Sequence, residues 1–462
     1  MPKSSKKESS KLWYSIGSIG DTGSYSIVSS FLFYFLIDVV FLDAWLAALI
    51  YMLSYGVWNA VNDPIVGVLS DKTNTKIGRR KPWIILGAPL TFIFYILLWS
   101  PPVGLGSLGV FFFLLVVVAG YEFSYSMFGV PWFSVFPELW ESVEDRSKVV
   151  VFRQIFAIIG SAFAIGVFPI LQASLGTIFG ELAGWTWAAV IMGSVFSASF
   201  LLSSLGIRER EEYTIDKRLP LIESIKMTLK NKTLLKYMGI HLMTWSITGW
   251  MGAMTPFFIL HSVGLSLDVI AIVMLPNILA TIMLFVMWRK IYIRFGPKKT
   301  LALTVILNAL CYIPCLFIID LIGLAMWGFL VGVAMSGVLV SREVVAGDVV
   351  DEDELITGIR REGSCFGFLI AIDKFSLVII GFFTAILLDV IIGYDPLLPD
   401  PPIMNMGIRL GILGFISLFT IILLIILKFF PLNNERIAEI RAEIEKLHAE
   451  KLQRLKEFNL KN

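Results

Sequence analysis

Long, continuous apolar stretches divide the chain, and each is long enough to cross a bilayer as a helix. A hydrocarbon core of about 30 Å takes about 20 residues at about 1.5 Å each. Twelve such stretches can be read, the first six being Leu12 to Phe41, Ala44 to Leu69, Trp83 to Ser100, Leu108 to Phe136, Val149 to Ser174 and Thr186 to Leu205. The second six are Leu234 to Val263, Leu267 to Tyr292, Thr300 to Ile319, Leu321 to Val350, Ser364 to Ile392 and Met406 to Pro431. In hydrocarbon every backbone N–H and C=O must find its partner inside the protein, which leaves helices or closed barrels. The stretches do not alternate at period two, so helices are expected.

Composition agrees: 57% of the 462 residues are hydrophobic and 16% charged, too few charges to clothe soluble domains of that total length. Orientation follows from the basic residues, because Lys and Arg in short loops stay on the cytoplasmic side. Lys3, Lys6, Lys7 and Lys11 precede span one; Lys72, Lys76, Arg79, Arg80 and Lys81 lie between spans two and three; Arg289, Lys290, Arg294, Lys298 and Lys299 flank the loop between eight and nine. The alternate loops Pro101 to Ser107 and Asp389 to Met406 carry no Lys or Arg. Both termini are therefore expected in the cytoplasm. The first span is too long for a signal-peptide core and lacks a small-residue cleavage site, so it is expected to remain.

The expected organisation is a six-helix bundle over 1–205, a cytoplasmic loop over 206–233, a second six-helix bundle over 234–431 and an amphipathic cytoplasmic helix over 432–462. That last segment carries Ile437, Ile440, Ile444 and Leu447 among charged residues and reads as a solvated or membrane-surface helix. Six spans, a charged loop and six more is the layout of the major facilitator fold, whose halves are parallel repeats rocking about a midplane site. The loops after spans two and eight support a repeat: each carries a Gly and a basic cluster, with Asp71, Gly78, Arg79 and Arg80 in the first and Arg294, Gly296 and Lys298 in the second. The first loop reads as a gate. Cys311, Cys315 and Cys365 lack the partners a metal or disulfide needs and read as small buried groups.

An ionisable side chain within a membrane helix is costly and calls for a partner or a function. Among those inside the spans are Asp21, Asp63, Glu122, Arg153, Arg342, Glu343, Asp373 and Lys374. Asn59, Asn62 and Asp63 stand at i, i+3 and i+4 on one helix face, where their oxygens can ligate a small hard cation, relay a proton or form an interhelical hydrogen-bond cluster; Ser126 can add another oxygen. Arg153 and Lys374 are the counter-charges, expected to pair as Arg153 with Asp21 and Lys374 with Asp63 or Asp373. Asp373 and Lys374 are adjacent, hence about 100° apart, and do not neutralise each other. Tyr125, Trp132 and Phe133 are candidate solute-binding residues beside this group. His241 and His261 read as packing or interface residues rather than proton carriers. There is no nucleophile–base arrangement, metal quartet or phosphate loop, so neither an enzyme, nor a cofactor, nor a nucleic-acid partner is expected.

These residues carry a family resemblance. Trp58-Asn59-Ala60-Val61-Asn62-Asp63-Pro64-Ile65-Val66-Gly67 with Asp71 to Trp83, then Val130-Pro131-Trp132-Phe133-Ser134, then Asp348 to Gly363, including Asp351 and Arg361, and then Lys374 resemble the glycoside-pentoside-hexuronide:cation symporters, the melibiose permease type of major facilitator protein. The resemblance implies a multi-pass, monomeric symporter of the plasma membrane, coupled to H+ or Na+ and carrying a sugar, glycoside or similar solute. By position it implies Asn62, Asp63 and Ser126 for the cation, Tyr125, Phe133, Arg153 and Lys374 for the cavity, and Asp21 as a carboxylate of that cavity. Asn59 and Gly129 depart from it, standing where relatives carry a second cation-site Asp and a sugar-binding Asp, and Leu369 and Ile370 replace polar residues. One carboxylate facing Lys374 would balance its charge, so the expected coupling is a proton through Asp63. The competing readings are a lysophospholipid-type amphiphile symporter of the same fold, suited by the apolar replacements, and a non-transporting sensor or scaffold, disfavoured by the intramembrane charges.

Overall fold

A computed structural model of the chain describes residues 9–140, 143–209, 221–358 and 362–461. The regular structure among them is helical: α1 Lys11–Tyr34, α2 Ala44–Tyr51, α3 Asn59–Lys72, α4 Lys81–Leu98, α5 Gly106–Leu139, α6 Val143–Phe179, α7 Glu181–Leu205, α8 Leu221–Lys230, α9 Lys232–Phe257, α10 Ile270–Phe295, α11 Pro297–Cys311, α12 Leu321–Thr357, α13 Glu362–Ala385, α14 Met404–Lys428 and α15 Asn434–Lys461. Short polar residues start several of them by capping free N–H groups. Asp43 accepts from Trp45 N at 2.8 Å, Asn231 from Leu234 N at 3.0 Å and Asp320 from Gly323 N at 2.7 Å. Four helices continue into or through π-helical turns, Phe35–Val39, Met52–Trp58, Phe258–Val263 and Ile386–Ile392. The second joins α2 to α3 inside span two and ends directly before Asn59, the first residue of α3.

Among the described residues eleven helical stretches are long and apolar enough to cross a membrane. The seventh expected span corresponds to α9, which falls short by polarity alone: Tyr237, His241, Thr244 and Ser246 are buried on it. A helix enclosed by other helices can carry such groups because protein, not lipid, satisfies them. α9 packs against α1, α13 and α14.

The first group of helices packs through α1 with α6 and α7, and α4 with α5 and α7; the second through α10 and α11 with α12, and α9 with α13 and α14. Small residues let backbones approach inside the first group. A Cβ on Gly20 of α1 would stand 2.6 Å from the Phe196 carbonyl of α7, and one on Gly160 of α6 would meet the Ile19 carbonyl.

The groups meet along α1 with α9, α6 with α10, and α2 with α13. α1 and α9 run parallel: Tyr25 lies against Trp245, ring centres 6.5 Å apart, and Tyr34 against Phe257 at 5.4 Å. Their starting ends therefore share one face. Asn231, capping α9, donates to Asp353 near the end of α12 at 2.8 Å, and α15 docks on that same end. The starts of α1, α9 and α15 thus lie on one side of the molecule.

The expectation of a free α15 is corrected. Ile437, Ile440 and Ile444 are buried, Arg441 reaches Asp348 at 3.1 Å and Arg436 reaches Glu352 at 3.5 Å. The apolar stripe has a groove beside α12 to fill, which propensity along one helix does not reveal.

Candidate functional site

The polar cluster forms where α3, α5 and α13 meet. Pro64 follows Asp63 and leaves the Ala60 carbonyl without its helical donor, a local break beside the functional face. Lys374 Nζ, from α13, stands 3.1 and 3.2 Å from the two carboxylate oxygens of Asp63, 3.4 Å from Asn59 Oδ1, 3.5 Å from Ser126 Oγ and 3.5 Å from Glu122 Oε2. Ser126 donates a short hydrogen bond to Asp63. Asn59 donates to Glu122 Oε2 at 2.8 Å, and Asn62 donates to Asn59 Oδ1 at 3.0 Å. The expected pairing of Lys374 with Asp63 is present, and it ties the second helix group to the first.

Glu122 corrects the charge count. Its side chain is 4% exposed and it faces the same ammonium as Asp63. Two carboxylates thus meet one ammonium, so with both ionised the cluster carries one net negative charge. The second carboxylate comes from α5, and Asn59 of α3 bridges the two helices as a donor. The sequence held the signal: Glu122 lies four residues before Ser126, on the same helix face. Asn62 Oδ1 is buried without a hydrogen-bond partner.

Beside this cluster Tyr125 donates a short hydrogen bond to Asp21 of α1, and its ring centre lies 5.7 Å from Lys374 Nζ. The expected Arg153–Asp21 pair does not form. Arg153 of α6 instead lies over the rings of Trp132 and Phe133, 4.5 and 4.6 Å from their centres. The tyrosine hydroxyl satisfies Asp21, and the aromatic faces of α5 attract the guanidinium. Trp132 itself is fully buried, stacked on Tyr14 with ring centres 5.0 Å apart; the two exchange hydrogen bonds to each other's carbonyls at 3.3 and 2.9 Å. It supports Arg153 from behind. Leu369 is likewise buried.

Asp373 and Lys374 part company as their adjacency requires. Asp373 pairs with His241 of α9 at 2.6 Å, and its carbonyl accepts from Tyr25 of α1 at 3.2 Å. His241 is therefore the partner of a carboxylate, where a packing or interface residue had been expected. Nearby, Arg342 of α12 lies 4.7 Å from the ring centre of Trp245.

At the start of α4, Gly78 has φ +117°, and the next three backbone N–H groups converge on the Glu209 carboxylate, from Arg79 at 3.0 Å, Arg80 at 2.9 Å and Lys81 at 2.8 Å. A carboxylate at a helix N-terminus is favoured by the free N–H groups and the dipole. This Gly-Arg-Arg segment is thus anchored to the end of its own helix group. Asp351 is on α12; the Asp71 side chain and Arg361 lie outside the described residues.

The profile of MFS/sugar transport proteins matches residues 13–434, nearly the whole chain. The chain belongs to this family. Across the MFS members it matches, an uncharacterized symporter of Synechocystis is 25% identical, covering 94% of this chain and 96% of that one. A glucuronide carrier protein homolog of Escherichia coli is 24% identical over 94% of both, and a sodium-dependent lysophosphatidylcholine symporter of Gallus gallus is 22% identical over 96% and 90%. The fold matches the crystal structure of nucleoside transporter NupG with a TM-score of 0.66 at 13% identity, covering 92% of this chain and 99% of that one. As an MFS protein the chain is a multi-pass membrane protein, and the site described lies between its two helix groups.

Proposed function

We propose that this MFS protein is a secondary active transporter that moves a small polar organic solute, of the sugar or glycoside kind, together with a monovalent cation. The observation that carries the proposal is Lys374 held between Asp63 and Glu122. An ammonium on the second helix group fills a nest of five oxygens on the first. A coupling cation arriving at these oxygens, whether H+ on a carboxylate or Na+ among Asp63, Asn59, Asn62 and Ser126, competes with Lys374 and so changes what ties the groups together. That is the differential interaction coupled transport requires. The net negative charge of the cluster accommodates either ion, and so widens the expectation of a proton through Asp63 alone.

The solute would lie beside it, against Asp21, Tyr125, Phe133 and Arg153 from the first group and Asp373 from the second. A carboxylate and a guanidinium on aromatic faces suit a hydroxylated or anionic solute better than an acyl chain. In this reading the helices form two six-helix bundles with twelve crossings, the termini face the cytoplasm, the membrane is the plasma membrane and the protein acts as a monomer.

The test is uptake of radiolabelled sugars, uronides and lysophosphatidylcholine into proteoliposomes under a sodium gradient, a proton gradient or neither. Accumulation of a sugar or uronide under one gradient supports the proposal. Equilibrating uptake alone would remove coupling, and accumulation of the lysolipid alone would replace the solute class.

A further inference from the structure

On the face opposite the starts of α1 and α9, both helices end in π-helical turns, Phe35–Val39 and Phe258–Val263. Asp38 is the fourth residue of the first and His261 the fourth of the second, and the two side chains meet. His261 Nε2 lies 2.9 Å from Asp38 Oδ2. The other ring nitrogen, Nδ1, lies 2.9 and 3.1 Å from the two carboxylate oxygens of Asp400, in the segment joining the second group's α13 and α14. Tyr394 of that segment donates to Asp38 Oδ1 at 2.9 Å and sets its ring edge-on to the imidazole, centres 5.3 Å apart. Neutral imidazole has one N–H, so a ring with both nitrogens on carboxylate oxygens completes both bonds only as imidazolium. The side chains of Asp38 and His261 are 7% and 16% exposed, so water replaces these bonds poorly; Asp400 is 44% exposed.

We propose that His261 is a proton-operated latch: its imidazolium ties Asp38 of the first helix group to Asp400 of the second and holds closed the face opposite the starts of α1 and α9, and loss of the proton releases it. The remaining charged and titratable neighbours leave this role to His261. From α14, Arg409 spends its guanidinium on backbone carbonyls, donating to Ser262 at 3.0 Å and to Ile318 at 2.7 Å, and lies 5.3 Å from the Phe258 ring centre. Asp268 accepts the Ser266 hydroxyl, and Tyr34 of α1 packs on Phe257. With the imidazole neutral, one carboxylate loses its donor and two negative groups flank an uncharged ring. The nearby Trp45 to Asp389 hydrogen bond, 2.7 Å and also joining the two groups, has no group that titrates with His and remains.

The proposal rests on the alternating-access reading above, but its test needs no solute. The full chain in nanodiscs would carry spin labels at Leu105 and Val390, exposed positions of the first and second groups on this face. Distances would be measured at about pH 5.5 and about pH 8.5, either side of the usual His titration. The expected result is a short distance at the lower pH and growth of a longer population at the higher, roughly tenfold, the factor set by about 1.4 kcal/mol. His261→Gln should show the long population at both values and His261→Lys the short one at both. If His261→Gln does not fold, Asp400→Asn at the half-exposed end should show the same loss of closure. A wild-type distance that ignores pH, or a His261→Gln protein that still closes on acidification, overturns the latch. A latch that responds in a protein showing no solute uptake would instead sink the transport reading.

Discussion

Lys374 Nζ sits 3.1 Å from Asp63 Oδ2, an ion pair that reaches from one helix group to the other through a largely buried site, 9% and 23% exposed at the two side chains. Removing one partner of such a pair leaves the other charge stranded, and typically costs about 3–5 kcal/mol. Lys374→Met should therefore lower stability by roughly that amount and abolish coupled uptake. Adding Asp63→Asn should restore part of the stability. Unfolding in detergent, run as a double-mutant cycle, checks the prediction through a coupling energy of at least about 1 kcal/mol.

Glu122→Gln preserves the shape of the side chain and an acceptor for Asn59, 2.8 Å away, but removes one negative charge from the cluster. The variant should exchange solute across the membrane at a rate near wild type and fail to accumulate it. Counterflow compared with gradient-driven uptake in the same proteoliposomes separates the two. Undiminished accumulation would remove Glu122 from the coupling group.

Arg153 lies 4.5 and 4.6 Å from the ring centres of Trp132 and Phe133, a planar arrangement that an ammonium does not reproduce. Arg153→Ala should abolish uptake while the protein stays folded and inserted. Arg153→Lys should retain weak uptake, with an apparent affinity lower by roughly tenfold for a loss of about 1–2 kcal/mol. Concentration dependence of initial uptake rates measures both.

Glu209→Ala takes the acceptor away from three backbone N–H groups at the start of α4. The expected destabilisation is about 1–3 kcal/mol. Protease cleavage between residues 73 and 80 should rise in step, and Glu209→Asp should recover part of the protection.

Ile440 is 1% exposed where α15 meets α12. Ile440→Ala should cost about 2–4 kcal/mol at this interface and release α15. Hydrogen exchange in residues 434–447 would report the release without loss of the membrane helices.

Hydropathy along the chain was enough to read helices across a membrane, because each span must be apolar on its own and satisfy its backbone on its own. The i, i+3, i+4 spacing of Asn59, Asn62 and Asp63 was enough to read a shared face, and the cost of burying Lys374 was enough to require a carboxylate partner. α9 shows where the hydropathy criterion ends: enclosed by α1, α13 and α14, it tolerates Tyr237, His241 and Thr244 on buried faces.

Which charges actually meet was decided only in three dimensions. Arg153 chose two aromatic faces over Asp21, Tyr125 took Asp21, Asp373 found His241, and His261 joined Asp38 to Asp400. The partners in these pairs are separated by between 20 and 223 residues, and most come from helices whose rotation about their own axes no local pattern sets. A span's apolarity is a property of one segment in lipid, whereas a side chain's partner depends on how several segments turn their faces to one another, and only their packing determines that.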